Sequence, residues 1–154
     1  VWREEVGALM QVKVEWDMSQ INAMMEKLAN AGKSGTKALE QGASVIEAHA
    51  KMNAEAHGLH KTGNLIGSIQ IYDKTPFSVM VGSRGVIYAA VHEFGATISP
   101  KRAKMLSWIG ESGERIFAHK VVIPARPYLR PAVDENKSAV EAAIANVVKQ
   151  ELGA

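Results

Sequence analysis

The spacing of apolar side chains predicts one strand and two helices in the first 57 residues. Apolar and charged residues alternate over 12–16, as they do in a short half-buried strand. A first helix follows and ends near 30–32, with its apolar side chains at helical spacing: Ile21, Met24, Met25 and Leu28. A second helix is predicted over 36–56, where small or apolar residues and one histidine recur at steps of three and four: Ala38, Gly42, Val45, His49, Met52 and Ala56.

The rest of the chain alternates as strands do and then becomes helical. Four strands are expected at 67–72, 77–81, 105–109 and 115–122, joined in pairs by turns at 73–76 and 110–113. A short helix or turn is expected at 88–93. From about Arg130 onward the apolar residues share one helical face, and Pro131 suits a first helical turn. The predicted fold class is α+β: a short N-terminal strand and two helices, an antiparallel sheet with long hairpins, and a long C-terminal helix.

The length of the chain favours a single domain over 1–154. A chain of 154 residues can bury a sizeable core and has little room for a second one. Its expected segments are the strand and helices at 11–57, the antiparallel sheet at 58–124 with a loop or hairpin at 96–120, and a Pro-rich motif with the final helix at 125–152. Residues 1–10 are interpreted as an extension or a tag, because 1–9 show no pattern and Met10 suits an initiator.

Composition excludes several classes of protein. No stretch approaches the ~18 apolar residues of a membrane span, and no signal-peptide pattern is present, so no membrane partner is expected. The chain has no cysteine, which excludes disulfides, thiolate zinc sites and cysteine nucleophiles. Its 18 basic and 16 acidic side chains give a net charge of +2, which is too close to balance to indicate a nucleic-acid partner.

The charge is unevenly distributed along the chain. Residues 101–130 carry seven basic and two acidic side chains, a net of +5, whereas 1–57 and 131–154 each carry a net of −2. A basic middle between acidic helical ends can stack head to tail in an assembly. The alternative is a solvated loop and hairpin, and both interpretations stay open.

The five histidines do not indicate a metal or cofactor site. His57 and His60 are three residues apart, but Gly58 lies between them where the helix should end. His49 lies on the apolar stripe of its helix and suits a core position. His92 and Glu93 are neighbours, so their side chains diverge. We expect no metal and no cofactor.

No nucleophile motif is present either. The sequence has no Gly-x-Ser-x-Gly elbow, no phosphate-binding Gly-x-x-x-x-Gly-Lys and no His-Glu-x-x-His. Ser34, Ser68 and Ser83 are interpreted as ordinary turn or strand residues. We therefore assign no catalytic residue and expect no enzyme. A hydrolase that uses the histidines is kept as an alternative hypothesis.

Three stretches, in order, resemble elements of one protein family. Residues 61–69 resemble the T-G-N-L-x-x-S-I element of small tailed-phage neck and tail-completion proteins, 88–95 the Y-A-x-x-x-E-F-G element, and 123–132 the I-P-A-R-P-F-L-R-P-A element that precedes the last helix. The residues singled out in them are Thr62, Gly63, Asn64, Leu65, Ser68, Tyr88, Glu93, Phe94, Gly95, Pro124, Arg126, Pro127, Tyr128, Leu129 and Arg130.

The resemblance implies a minor structural protein of a siphophage or prophage virion. Such proteins are made in the bacterial cytoplasm, act without catalysis at the head–tail junction or the upper end of the tail, and work as subunits of a ring on the tail axis. A hexameric ring, other phage neck and tail proteins as partners, and transient contact with DNA are therefore expected. The long insertion at 99–120 resembles the related virion-morphogenesis type.

The motif residues also suggest structural roles. Gly63-Asn64 favours a sharp turn with positive φ. Tyr88 and Phe94 are expected to hold a loop in the core while Gly95 frees the backbone beyond it.

Arg126 lies between two prolines that stiffen an extended connection, Pro124 and Pro127. Its planar guanidinium is expected to bind a carboxylate or carbonyl groups, either in its own domain, with Glu93 as a candidate, or in a neighbouring subunit.

The basic loop supports two kinds of contact. Lys101, Arg102 and Lys104 precede Trp108, a pattern that fits phosphate contact with base stacking in a DNA-binding accessory module over 101–130. In a ring, the same hairpin can instead join a sheet edge in contacting the acidic C-terminal helix of the next subunit.

Overall fold

The computed structural model describes residues 3–4, 12–13, 19–59 and 63–153, and its helices and small antiparallel pairs confirm the α+β class. The helices are α1 (Ser19–Asn30), α2 (Thr36–Ala56), α3 (Asn64–Ser68), α4 (Ala89–Phe94), α5 (Leu129–Asp134) and α6 (Lys137–Leu152). The strands are β1 (Arg3–Glu4), β2 (Val12–Lys13), β3 (Ile69–Tyr72), β4 (Met80–Ser83), β5 (Ala96–Ile98), β6 (Leu106–Ile109), β7 (Arg115–Ala118) and β8 (Val121–Ile123).

Helix α2 organises the core, because its two halves belong to two buried clusters. The N-terminal half packs with α1 and α6; the buried members are Ile21, Met25, Leu28, Ala38, Val140, Ile144, Val147 and Val148. The C-terminal half packs with α3, β3, α4 and α5; the buried members are Ala50, Ala54, Leu59, Leu65, Ile69, Ala89, Tyr128, Leu129 and Ala132. Small residues on α2 let these neighbours come close: a Cβ on Gly42 would lie 2.8 Å from the Ile144 side chain.

The described strands form four separate antiparallel pairs rather than one sheet. The pairs are β1–β2, β3–β4, β5–β8 and β6–β7. The predicted antiparallel pairing is confirmed, and in the described residues it is divided among small two-stranded pairs. The β3–β4 pair packs against α2, so a helix covers it instead of further strands.

Residues 96–123 form a long antiparallel excursion that we call the arm. Strands β5 and β8 pair at its base, from Ala96 opposite Ile123 to Ile98 opposite Val121. Strands β6 and β7 pair towards its tip, where the chain turns at 110–113. None of the residues in the two buried clusters of the described chain comes from the arm.

The predicted bounds of α1 and α2 are confirmed, and the second half of the chain differs in detail. Residues 65–68 belong to α3, so the strand after them begins only at Ile69. Phe77 lies outside β4 and is exposed. The strand predicted at 115–122 is two strands, because β7 pairs with β6 while β8 pairs with β5, a strand that the sequence analysis missed.

The final helix is interrupted at Glu135–Asn136, between α5 and α6. The Asn136 side chain donates to the carbonyl oxygen of Ala132 at 3.0 Å, and a local bond of this kind favours a break between helices. Strand β1 (Arg3–Glu4) lies in the segment 1–10 that was interpreted as an extension, and it pairs with β2 (Val12–Lys13), which follows that segment. The rest of the strand predicted at 12–16 lies outside the described residues.

Replacing Gly42 with leucine tests the close packing of α2 against α6. The added side chain would overlap Ile144 and Val140, so the helices would have to move apart. We expect Gly42→Leu to lower the free energy of unfolding by about 1–3 kcal/mol, measured by urea denaturation. Ala48→Leu, at an exposed position of the same helix, is the matched control and should change it by less than about 0.5 kcal/mol. Equal stability of the two variants would contradict the close approach.

Candidate functional site

One buried carboxylate joins the second and third motifs. Glu93 lies in α4 and is 2 % exposed. Its Oε2 accepts the backbone N–H groups of Tyr128 at 2.8 Å and Leu129 at 2.9 Å, and its Oε1 accepts that of Arg130 at 2.8 Å. These N–H groups open α5 and have no partner within that helix. We call this arrangement the Glu93 junction.

The junction provides what a buried carboxylate needs. Removing such a group from water is costly unless hydrogen bonds replace its hydration. Three charge-assisted bonds do so here, and the start of a helix is also the end that favours negative charge. The carboxylate of α4 therefore fixes where α5 begins.

Tyr128 connects the junction to the first motif. Its backbone N–H is held by Glu93, and its carbonyl oxygen accepts from the Asn53 side chain at 3.1 Å. Its buried hydroxyl is hydrogen-bonded to Ser83, and the Ser83 and Ser68 hydroxyls bond each other. Ser68 also donates to the carbonyl oxygen of Leu65 at 2.6 Å. All three polar groups of Tyr128 are thus satisfied inside the fold.

The single proton of each hydroxyl fixes the direction of this chain of bonds. Ser68 gives its proton to the Leu65 carbonyl, which can only accept. Ser83 must therefore donate to Ser68, and Tyr128 must donate to Ser83. Burial, together with the nearby Glu93 carboxylate, raises the pKa of Tyr128 well above its usual value, so the tyrosine keeps the proton that this chain requires.

Two backbone contacts hold the root of the arm beside the junction. The N–H of Arg126 donates to the carbonyl oxygen of His92 at 2.6 Å. Gly95 has a φ of 73°, and a Cβ there would lie 2.9 Å from the nitrogen of Ala125 and from the carbonyl oxygen of Ile123. Only glycine fits this position, because both its backbone conformation and its space exclude a side chain.

The arrangement overturns one of the two roles considered for Arg126. The Glu93 oxygens are occupied by three backbone N–H groups, and no ion pair joins them to Arg126, whose side chain is exposed. The expectation that Tyr88 lies in the core is also wrong, since it is 39 % exposed, with its ring edge-on to His92 at 5.7 Å. Phe94 is half-buried, with the Arg130 guanidinium 5.4 Å from its ring centre.

The remaining candidates fall into two groups. Gly63 has the expected positive φ of 69° at the start of α3, Leu65 and Leu129 are buried in the core, and Thr62 lies outside the described residues. At the surface, Pro124 is exposed and Asn64 begins α3. The cations of the basic loop, Lys101, Arg102 and Lys104, are all exposed on the arm.

The described residues contain no group of three metal-ligating side chains. His57 is exposed at the end of α2, and His60 lies outside the described part. Partial burial, helped by the charge of Arg126, lowers the pKa of His92 below its usual value.

Within the described ranges, no helix is both long and apolar enough to cross a membrane.

A family model described as the phage virion morphogenesis family matches residues 10–153. The chain belongs to this family. Comparison with curated proteins and with solved structures gave no match. Membership confirms the resemblance seen in the three motifs and gives the chain a role in the assembly of phage virions.

In this member of the phage virion morphogenesis family, the three motifs meet around one residue, Tyr128. Sequence reasoning singled out Glu93 but missed Ser83 and Asn53, two of the three direct polar partners of Tyr128. Ser83 was interpreted as an ordinary turn or strand residue. No signal in the sequence marks either residue, since their partner lies 45 and 75 positions away.

Substitution of Glu93 by glutamine tests the junction. The amide keeps one oxygen but presents an NH₂ group to backbone donors, which leaves at least one buried N–H without an acceptor. We expect Glu93→Gln to lower the free energy of unfolding by about 2–3 kcal/mol, measured by chemical denaturation. Glu55→Gln, at an exposed position of α2, is the matched control and should be close to neutral. A neutral Glu93→Gln would show that the junction does not hold α5.

A double-mutant cycle tests the direction of the hydroxyl chain. Ser83→Ala leaves the Tyr128 O–H without its acceptor and should cost about 2 kcal/mol, whereas Tyr128→Phe should cost only about 1 kcal/mol. In the Ser83→Ala background, Tyr128→Phe should be neutral or stabilising, because it removes an unpaired donor. Tyr88→Phe, on an exposed ring, serves as the control. Additive effects of the two substitutions would contradict the bond between them.

Proposed function

We propose that this chain is a non-enzymatic structural protein that completes the phage tail or forms the head–tail neck, as a subunit of a ring on the tail axis. The observation that carries the proposal is the family match over residues 10–153, with the three neck-type motifs in order inside it. The protein is made in the host cytoplasm and ends in the virion, where its partners are other neck and tail proteins.

The use of polar groups at the junction supports a structural role. The Glu93 carboxylate and the hydroxyls of Ser68, Ser83 and Tyr128 are the polar groups of the Glu93 junction and of the hydroxyl chain beside it. All of them are committed to bonds inside the fold. A general acid or base needs a free position facing a substrate, and none of these groups has one.

The arm supports the oligomeric part of the proposal. It projects apolar and cationic side chains from a body whose core is complete without it. A hexameric ring is the favoured assembly. Transient contact of Lys101, Arg102 and Lys104 with the DNA that passes along the tail axis is the alternative use of the arm.

Complementation of a phage that lacks this chain tests the location. Without the protein, we expect heads and tails to accumulate unjoined in electron micrographs, and a gold-labelled copy should mark the head-proximal end of the tail. Label at the distal end or along the tube would refute a neck or completion role, as would infectious particles that form without the chain.

Arg126→Ala sharpens the same experiment. Because the guanidinium is exposed and its backbone N–H remains, we expect an unchanged midpoint of urea unfolding. Loss of an interface arginine costs about 1 kcal/mol or more of binding, so the yield of infectious particles should fall by at least about fivefold. Lys27→Ala, an exposed cation on α1, is the control. A normal yield from Arg126→Ala would leave that residue without a role in assembly.

A further inference from the structure

The arm exposes apolar side chains on both of its faces. Residues opposite each other in an antiparallel pair share a face, so Phe117 lies beside Ser107 and Ile109 beside Arg115 on one side. Phe117 and Ile109 are 57 % and 59 % exposed, and Trp108 on the other face is 41 % exposed. Six of the eleven exposed large hydrophobic residues in the described chain lie in the arm: Ile98, Met105, Trp108, Ile109, Phe117 and Val122.

A two-stranded ribbon of this kind needs a covering surface. Isolated hairpins are marginally stable in water. A cluster of exposed apolar side chains such as the one on the arm marks an interface. The tip and outer strands of the arm have no substantial packing partner among the described helices and strands. The arm therefore gains stability when another surface buries it.

The chemistry of the arm specifies the surface that fits it. The arm carries five basic side chains, Lys101, Arg102, Lys104, Arg115 and Lys120, against two acidic ones, Glu111 and Glu114, a net of +3. The Glu114 carboxylate is already held by the Ser112 hydroxyl, which lowers the pKa of Glu114. The complement is a surface that is acidic and has room for large apolar side chains. A polar nucleic-acid groove would leave Phe117 and Ile109 poorly buried.

The chain itself presents such a surface where α5 meets α6. Asp134 and Glu135 are adjacent and exposed, and no described residue forms an ion pair with either. The outer side of α6 follows directly, with Ala139 and Ala142 exposed opposite the buried Val140 and Ile144. Small side chains there leave space against which the bulky residues of an arm can pack.

We propose that the arm of one copy docks on the α5–α6 surface of a second copy, with Lys101, Arg102 and Lys104 facing Asp134 and Glu135. The inference rests on the proposed ring, in which each subunit offers one surface and receives another. An arm-to-arm pair would instead bring two segments of net charge +3 together. A contact between two different surfaces leaves one of each kind free after every step, so subunits add until a ring closes.

Charge reversal tests this docking with full-length protein. The arm variant carries Lys101→Glu, Arg102→Glu and Lys104→Glu; the receiving variant carries Asp134→Lys and Glu135→Lys. Each alone brings like charges together, and we expect its apparent association constant to fall at least about tenfold below that of the unmodified chain, measured by native mass spectrometry over a concentration range. Lys27→Glu is the control and should associate as the unmodified chain does.

Two recombinations then identify the surfaces. An equal mixture of the arm and receiving variants restores opposite charges at every contact, so we expect mixed assemblies of alternating subunits. One chain with all five reversals should assemble on its own. Ile109→Ser with Phe117→Ser should abolish assembly in every background, with an unchanged circular dichroism spectrum as evidence that the body remains folded.

Three other outcomes would contradict the proposed docking of the arm. An unmodified chain that stays monomeric at millimolar concentration shows that a second copy is not the occupant, even where gold label still places the protein at the neck. A receiving variant that assembles alone indicates arm-to-arm pairing. Binding of duplex DNA at low salt that depends on the arm cations, without self-association, assigns the arm to nucleic acid.

Discussion

The carboxylate of Glu93 is the constraint on which the rest of the structure depends. A charge removed from water must find donors, and the nearest unpaired donors are the N–H groups at the start of α5. This requirement holds α4 and α5 together although 35 residues separate Glu93 from Tyr128. The arm occupies most of that interval, from Ala96 to Ile123. The junction therefore closes the base of the arm. Its hydrogen bonds offset the conformational entropy that is lost when the two ends of such a long segment are held together.

Tyr128 extends this constraint into the core. Its backbone belongs to the junction, its carbonyl oxygen is held by Asn53 on α2, and its hydroxyl reaches Ser68 through Ser83. The base of the arm is thus fixed to the central helix and to the β3–β4 pair. Beyond this fixed base the arm has few contacts, so stability differs between the body and its projection. A rigid base with a thinly supported projection presents a binding surface in a defined direction.

The parts of this fold that were predicted depend on local pattern, and the parts that were missed depend on distant partners. The bounds of α1 and α2 follow from helical spacing that continues over several turns. Strands β7 and β8 are separate because β7 pairs with β6 whereas β8 pairs with β5. The local sequence does not show which strands pair. Opposite charge makes Glu93 a candidate partner for Arg126. The backbone donors of α5 fill the carboxylate instead, and nothing in side-chain identity distinguishes those two outcomes.

The Glu93 junction offsets part of the free-energy cost of ordering the arm. Ordering 96–123 costs conformational entropy for every residue, yet none of the described core residues comes from that segment. Folding of an isolated subunit therefore offsets little of that cost, whereas the proposed docking would bury side chains such as Phe117 and Ile109 that the subunit leaves in water. The junction limits the cost by fixing both ends of the arm before any partner arrives. In the proposed docking, Glu93 would therefore act on assembly through the orientation that it gives to the arm, a surface it does not touch.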